Sequence, residues 1–278
     1  MLTDQRIIFS DNAALLDISV DTGDFREGSV TIPYTASEDY IFIGSFLPFN
    51  HKHFDVSTVN DQASTISVDI WDGNTWIAAV DVIDQTSVSG VTLARDGIIR
   101  WSTDVDDSSW NREEESEDVT GLTGTKIFNM YWVRLSFSAS LNANTAIDYV
   151  GHKFSKDSQL YDVYPEFNDS VVLDSFETGK TDWEEQHYLA ADMIIRDLKK
   201  SNRLVTPDQI MDFELFREPA IHAAAMQIYW GLSQYEKHDK ARDKYQHFVD
   251  MGFLNLDLNR DGRLNIREHA VRTGYLTR

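Results

Sequence analysis

The chain has no cysteine and only five prolines in 278 residues. Without cysteine there is no disulfide framework and no thiol catalysis. Positive charge is also scarce, with 25 Lys and Arg against 46 Asp and Glu, a formal net charge of −21. That balance argues against binding a phosphate backbone, which needs clustered cations. It suits a surface that must stay soluble or that repels passing nucleic acid. No segment approaches the length of a membrane span, and Met1-Leu-Thr-Asp-Gln-Arg6 lacks a basic stretch followed by an apolar run. A soluble product, made and folded in the cytosol and not bound to a membrane, is the expectation. Phosphate-loop, nucleophile-elbow and His-Glu-x-x-His motifs are missing too, so no catalysis is expected.

What is present can build cores: 42% of residues are hydrophobic and 12% aromatic. The length predicts one large or two ordinary domains. The first half alternates. Ile66, Val68 and Ile70 oppose Ser67 and Asp69, and Tyr131, Val133, Leu135 and Phe137 alternate with Arg134 and Ser136. Asp72-Gly-Asn74 between Trp71 and Trp76 is a hairpin signal. Further strands are expected at residues 7–9, 15–20, 28–32, 40–46, 53–57, 98–101 and 146–154. So many short strands predict an antiparallel β-sandwich or jelly roll over residues 1–155.

From about residue 157 the period becomes helical. Ala190, Ile194 and Leu198, widened by Ala191 and Ile195, form one apolar stripe. Thr206-Pro-Asp-Gln209 reads as a capping box with proline at the first helical position. Ile221, Ala225, Ile228, Leu232 and Tyr235 mark a third helix; Ala241, Tyr245, Phe248 and Gly252 mark a fourth. Its Lys237, Lys240, Arg242 and Lys244 read as a solvated basic face. The whole is expected to be α+β in two domains, with a helical bundle over 156–278.

Residues 257–268 match an EF-hand calcium loop position by position. Asp257, Asn259 and Asp261 supply oxygens at positions one, three and five, and Gly262 provides the turn at six. The Arg263 carbonyl serves at seven, Asn265 at nine and Glu268 as the bidentate ligand at twelve, with Leu264 as the apolar anchor. Three carboxylates are a normal complement for Ca²⁺, while Arg260, Arg263 and Arg267 weaken it. A lone loop at a chain end reads as a structural clip rather than a switch. The competing reading is a loop that keeps its fold without the ion.

Other constellations favour plain explanations. His51 and His53 would share a strand face and could hold a metal, but lack a third ligand and read as surface histidines. Trp71, Trp76, Trp101, Trp110 and Trp132 could form a sugar-stacking row, yet core aromatics of a sandwich explain them better. Residues 113–118, Glu-Glu-Glu-Ser-Glu-Asp, read as a solvated loop, and Asp104, Asp106 and Asp107 have no specific cation spacing.

Tyr161-Asp-Val-Tyr-Pro165, a first helix after Trp183, the capped Pro207-Asp-Gln-Ile210 stretch, an apolar helix over 219–236 and the terminal acidic loop together resemble bacteriophage head–tail connector adaptors. The resemblance covers roughly 157–278. It implies a small helical bundle that docks under the portal ring and assembles as a dodecamer around the DNA channel, presenting a platform to tail or neck proteins in the virion. DNA would pass through without sequence-specific contact. Gly44-Ser-Phe-Leu-Pro-Phe49, Trp71-Asp-Gly-Asn-Thr-Trp76, Asp84-Gln-Thr86, Gly97-Ile-Ile-Arg-Trp101 and Tyr131-Trp-Val-Arg134 resemble a module of phage structural proteins, over about 38–150. The simplest adaptors are helical only, so this domain is a departure. A carbohydrate-binding host-attachment module on a calcium-clipped helical domain is the runner-up, and a calcium-responsive regulator the third reading.

An occupied loop has a direct thermodynamic signature. Ca²⁺ at a hundredfold excess over its dissociation constant should add about 2.7 kcal/mol to the stability of the helical part. Wild type should therefore melt higher in Ca²⁺ than in chelator, and Glu268→Gln should lose most of that gap. Identical melting of wild type in the two buffers would mean a metal-free loop.

Overall fold

The computed structural model describes residues 5–24, 28–102, 110–113, 118–123, 129–200, 207–210 and 213–251. The protein is a mixed α+β chain with two antiparallel sheets and five α-helices among these residues. It divides into two compact units, 1–151 and 152–278.

In the first unit, β1 (Gln5–Asp11), β2 (Ala14–Asp17), β4 (Tyr40–Ser45), β6 (Ile66–Trp71), β7 (Trp76–Ala78) and β10 (Tyr131–Phe137) form one sheet, in the order β2-β1-β4-β10-β6-β7. The other runs β3-β11-β5-β9-β8, from β3 (Val30–Thr31), β5 (His51–Thr58), β8 (Val80–Asp84), β9 (Gly97–Ser102) and β11 (Ala146–Gly151). Ile7, Phe9, Ile41, Ile43, Val68, Ile70, Val133 and Leu135 of the first sheet share a core with Phe54, Ile99, Trp101, Ile147 and Val150 of the second. Along β1, β4, β6, β9 and β10 these are alternate positions, so period-two patterning places the core between two sheets, while β11 reaches it through register shifts at Ile147.

The six-stranded sheet is covered on its other face as well. Ile8, Phe42, Trp71 and Trp132 pack there with Val119, Leu122 and Met130 in a second apolar cluster. Beside it Arg134 pairs with Asp69 directly across the strands, at 2.6 Å, and its guanidinium lies over the Tyr40 and Trp76 rings. A strand buried on both faces leaves little room for error. Gly44 sits opposite Trp132, and a methyl group added to it would lie 2.7 Å from the indole.

Most expected strands are present, but that at 28–32 shrinks to Val30–Thr31 and three further differences stand out. β8 was not anticipated; its exposed residues and bulge between Val80 and Ile83 break the alternation. Residues 15–20 and 146–154 are strand only up to Asp17 and Gly151.

In the second unit, α1 (Asp157–Val163), α2 (Ser170–Phe176) and α3 (Glu184–Lys200) precede α4 (Arg217–Gly231) and α5 (Tyr235–Met251). α3 carries Glu184 and Glu185 in its first turn and Lys199 and Lys200 in its last, as the helix dipole favours. α4 is central and buried nearly all round. Its Ala220, Ala223 and Ala224 face Ala190, Ile194, Leu198 and Tyr245, while Ile221, Ala225 and Ile228 face Leu160, Phe167, Leu173 and Trp183. Small alanines let neighbouring helices approach, and the absence of one polar face is the mark of an interior helix.

Two helix expectations are corrected. The third helix does not run through Leu232 and Tyr235. It stops at Gly231, Ser233 turns left-handed with φ 58°, and the Gln234 amide bonds back to the Tyr229 carbonyl at 2.8 Å. That is a Schellman-type stop, and Tyr235 opens the next helix. The capped stretch at 207 is a single 3-10 turn, Pro207–Gln209, with Thr206 outside the described residues.

Gly44→Ala should overpack the sheet and cost about 1–3 kcal/mol, lowering the melting temperature of the β unit. An unchanged melting temperature would show that Trp132 can move aside.

Candidate functional site

The calcium-loop residues Asp257, Asn259, Asp261, Arg263, Asn265 and Glu268 lie outside the described residues. So do Asp104, Asp106 and Asp107. Among the described residues no three His, Cys, Asp or Glu side chains gather as a metal site. None of the described helices is long and apolar enough to cross a membrane.

His51 and His53 are not surface residues. β5 lies between β11 and β9, and both imidazoles are buried, with His51 Nδ1 2.8 Å from Asn50 Oδ1. Burial, with Lys52 and Arg100 nearby, pushes His51 well below the usual histidine range and keeps it neutral. Glu113 is also not solvated. It is buried, and its Oε2 accepts a 2.9 Å bond from the Trp132 indole. Residues 114–117 lie outside the described residues. Trp71, Trp101 and Trp132 are buried and Trp76 and Trp110 half-buried, so these five make no exposed stacking row.

The helical unit holds a group that sequence reading missed. His187 bridges Ser155, at 2.7 Å from Nδ1, and Asp157, at 3.0 Å from Nε2. The connectivity is that of a nucleophile, base and orienting acid. Ser155 and His187 are both buried, however, so no substrate can reach the hydroxyl. Asp157 also accepts the Trp183 amide and the Tyr161 hydroxyl, at 3.2 Å and 2.9 Å, which ties α1 to the start of α3. Burial raises the Asp157 carboxyl, and the bonds from His187 and Tyr161, the His187 charge and the Trp183 amide outweigh it, holding it below the usual range. Trp183 and His187 stand 26 and 30 residues from Asp157 in sequence, and no local pattern announces them.

Other buried aromatics find partners in the same way. The Tyr229 hydroxyl donates to Glu166 at 2.6 Å, Tyr245 donates to Asp197 at 3.0 Å, and Tyr164 meets His222 Nδ1 at 2.8 Å. Burial, helped by Lys244, lowers His222 to about 4, so it stays neutral at neutral pH.

One aromatic group faces solvent. Trp230, at the end of α4, is 61% exposed, and Tyr235, at the start of α5, is 56% exposed. Their ring centroids are 5.3 Å apart, and His238 stands 5.1 Å from the indole. The Ser233 turn brings the pair together, and Gly231 beside them leaves room for the Phe176 ring. Along α5 the cations extend from this tip. Lys237 reaches Glu166, Lys240 reaches Glu236 and Arg242 reaches Asp239, all at the surface.

Comparison with protein-family models, curated proteins and solved structures gives no match.

Asp157→Ala should cost about 2–3 kcal/mol, since it strands three donors. The sign with pH follows from the lowered carboxyl. The Asp157 contribution is complete above its unfolded value of about 3.9 and is lost as pH falls through the lower folded value. Wild type and Asp157→Ala should therefore converge in stability as the solution is acidified, and a constant gap would contradict the assignment.

Proposed function

We propose that this chain is a virion structural protein of a bacteriophage, a subunit of an adaptor ring joining the portal to the tail or neck. The exposed Trp230–Tyr235 pair carries the reading. Large apolar groups held at the surface of a soluble protein mark interaction sites, and Trp and Tyr dominate the binding energy of such sites. A chain of net charge −21 repels its own copies unless a contact sets cations against acids. The exposed α5 row of Lys237, Lys240 and Arg242 supplies them beside the aromatic pair. Their present pairs are exposed and weakened by solvent screening, and exchange readily for partners on a second copy. A patch that differs from the surface it meets gives a head-to-tail contact, and such contacts close into a ring when the rotation between copies closes.

The likeness of 157–278 to connector adaptors supports a dodecamer around a DNA channel, with the portal on one side and tail proteins on the other. In this reading the role is structural rather than enzymatic, Ca²⁺ at residues 257–268 is a clip, and the acidic surface keeps passing DNA from sticking. Burial of Trp71, Trp101 and Trp132 weighs against the stacking platform of the carbohydrate-module reading.

Trp230→Ala combined with Tyr235→Ala should reduce ring formation at least tenfold when the chain is coexpressed with the portal protein from the same genome. Both side chains are more than half exposed, so the melting temperature should hardly change. Rings formed in normal yield by the double variant would refute this contact.

A further inference from the structure

We propose that the β unit binds a neutral saccharide in a pocket at one end of β10. The cavity, of about 590 Å³, lies between the β6–β7 turn, residues 110–113 and residues 129–131. That is within the roughly 300–1,000 Å³ of small-molecule sites. It is distinct from the α4–α5 tip and from the row of buried tryptophans.

The walls are fixed before any ligand arrives. Asp72 Oδ1 accepts the amides of Asn74 and Thr75, at 2.7 Å and 2.5 Å, which locks the turn. Asn111 binds it from the far side, its amide nitrogen donating to the Asp72 carbonyl and its backbone to Trp71. Glu113 exchanges backbone bonds with Met130 and Asn129, so the third segment is tied to the second. Trp110 is held by its indole bond to the Trp132 carbonyl and meets Tyr131 edge to face, with centroids 5.6 Å apart.

Several polar groups on these walls are left over. Asp72 Oδ2, the Asn74 side-chain amide and the Tyr131 hydroxyl have no partner among the described residues. The carboxylate accepts and the amide both donates and accepts, a combination that matches neighbouring hydroxyls on a sugar ring. The half-buried edges of Trp110 and Tyr131 offer apolar surface for its C–H groups.

Charge narrows the ligand further. Arg112, whose guanidinium lies 5.3 Å over the Tyr131 ring, opposes a cation in the pocket. The carboxylates of Asp72 and Glu113 oppose an anion. A hydroxyl-rich molecule without charge meets neither objection.

The test uses the full chain, fluorescently labelled, on an array of immobilised bacterial and animal saccharides, neutral and charged. The strongest neutral saccharide is then titrated in solution against wild type, Asn74→Ala and Tyr131→Phe. The two substitutions remove side-chain groups without a bond among the described residues, and unchanged melting temperatures would verify their folding. Retention of a neutral saccharide, weakened at least tenfold by each substitution, is the expected result. No retention on the array, retention of charged saccharides alone, or equal affinity in the variants would overturn the proposal. Ring assembly is read separately, so failure of one reading leaves the other standing.

Discussion

Burying a tyrosine or tryptophan requires a partner for its polar atom, and this requirement organises the helical unit. The unit is small and built on aromatic residues, so their hydroxyls and indoles must be satisfied inside it. The Trp183 indole donates to the Phe167 carbonyl, and Tyr229 pairs with Glu166, Tyr245 with Asp197 and Tyr164 with His222. Each bond joins segments distant in sequence, and together they set the helices around α4. Against that background Trp230 and Tyr235 are the exception. Their rings meet each other and His238 but stay in solvent, which is a cost that a partner surface would remove.

The β unit meets a related constraint with sheets. The six-stranded sheet buries both faces, one against the second sheet and one under the Trp71–Trp132 cluster. Polar groups on it are therefore paired, Arg134 with Asp69 on the neighbouring strand and Trp132 with Glu113 of the segment 110–113. Where the chain leaves the sheet, at the β6–β7 turn and residues 110–113 and 129–131, polar side chains converge around open space.

Sequence reading reached the elements governed by local period. Ile66 to Ile70, Tyr131 to Phe137 and the Asp72-Gly73-Asn74 turn announce strands and a hairpin, and Ala190, Ile194 and Leu198 announce a helix. The break after Gly231 was a signal within reach, whereas a left-handed Ser233 has no strong residue preference. β8 escaped because its bulge spoils alternation. Burial of His51, His53 and Glu113 depends on where their strands and loops lie in the sheets, and no neighbour in sequence reveals it. The pocket was out of reach for the same reason, being assembled from three segments up to about 59 residues apart.

Electron microscopy of the purified full chain, mixed with the portal protein from the same genome, tests the central claim most directly. The account predicts closed rings of this chain stacked on the portal, with the Trp230–Tyr235 tip covered by the adjacent copy. Portal rings that remain bare at saturating concentrations of the folded chain would contradict it.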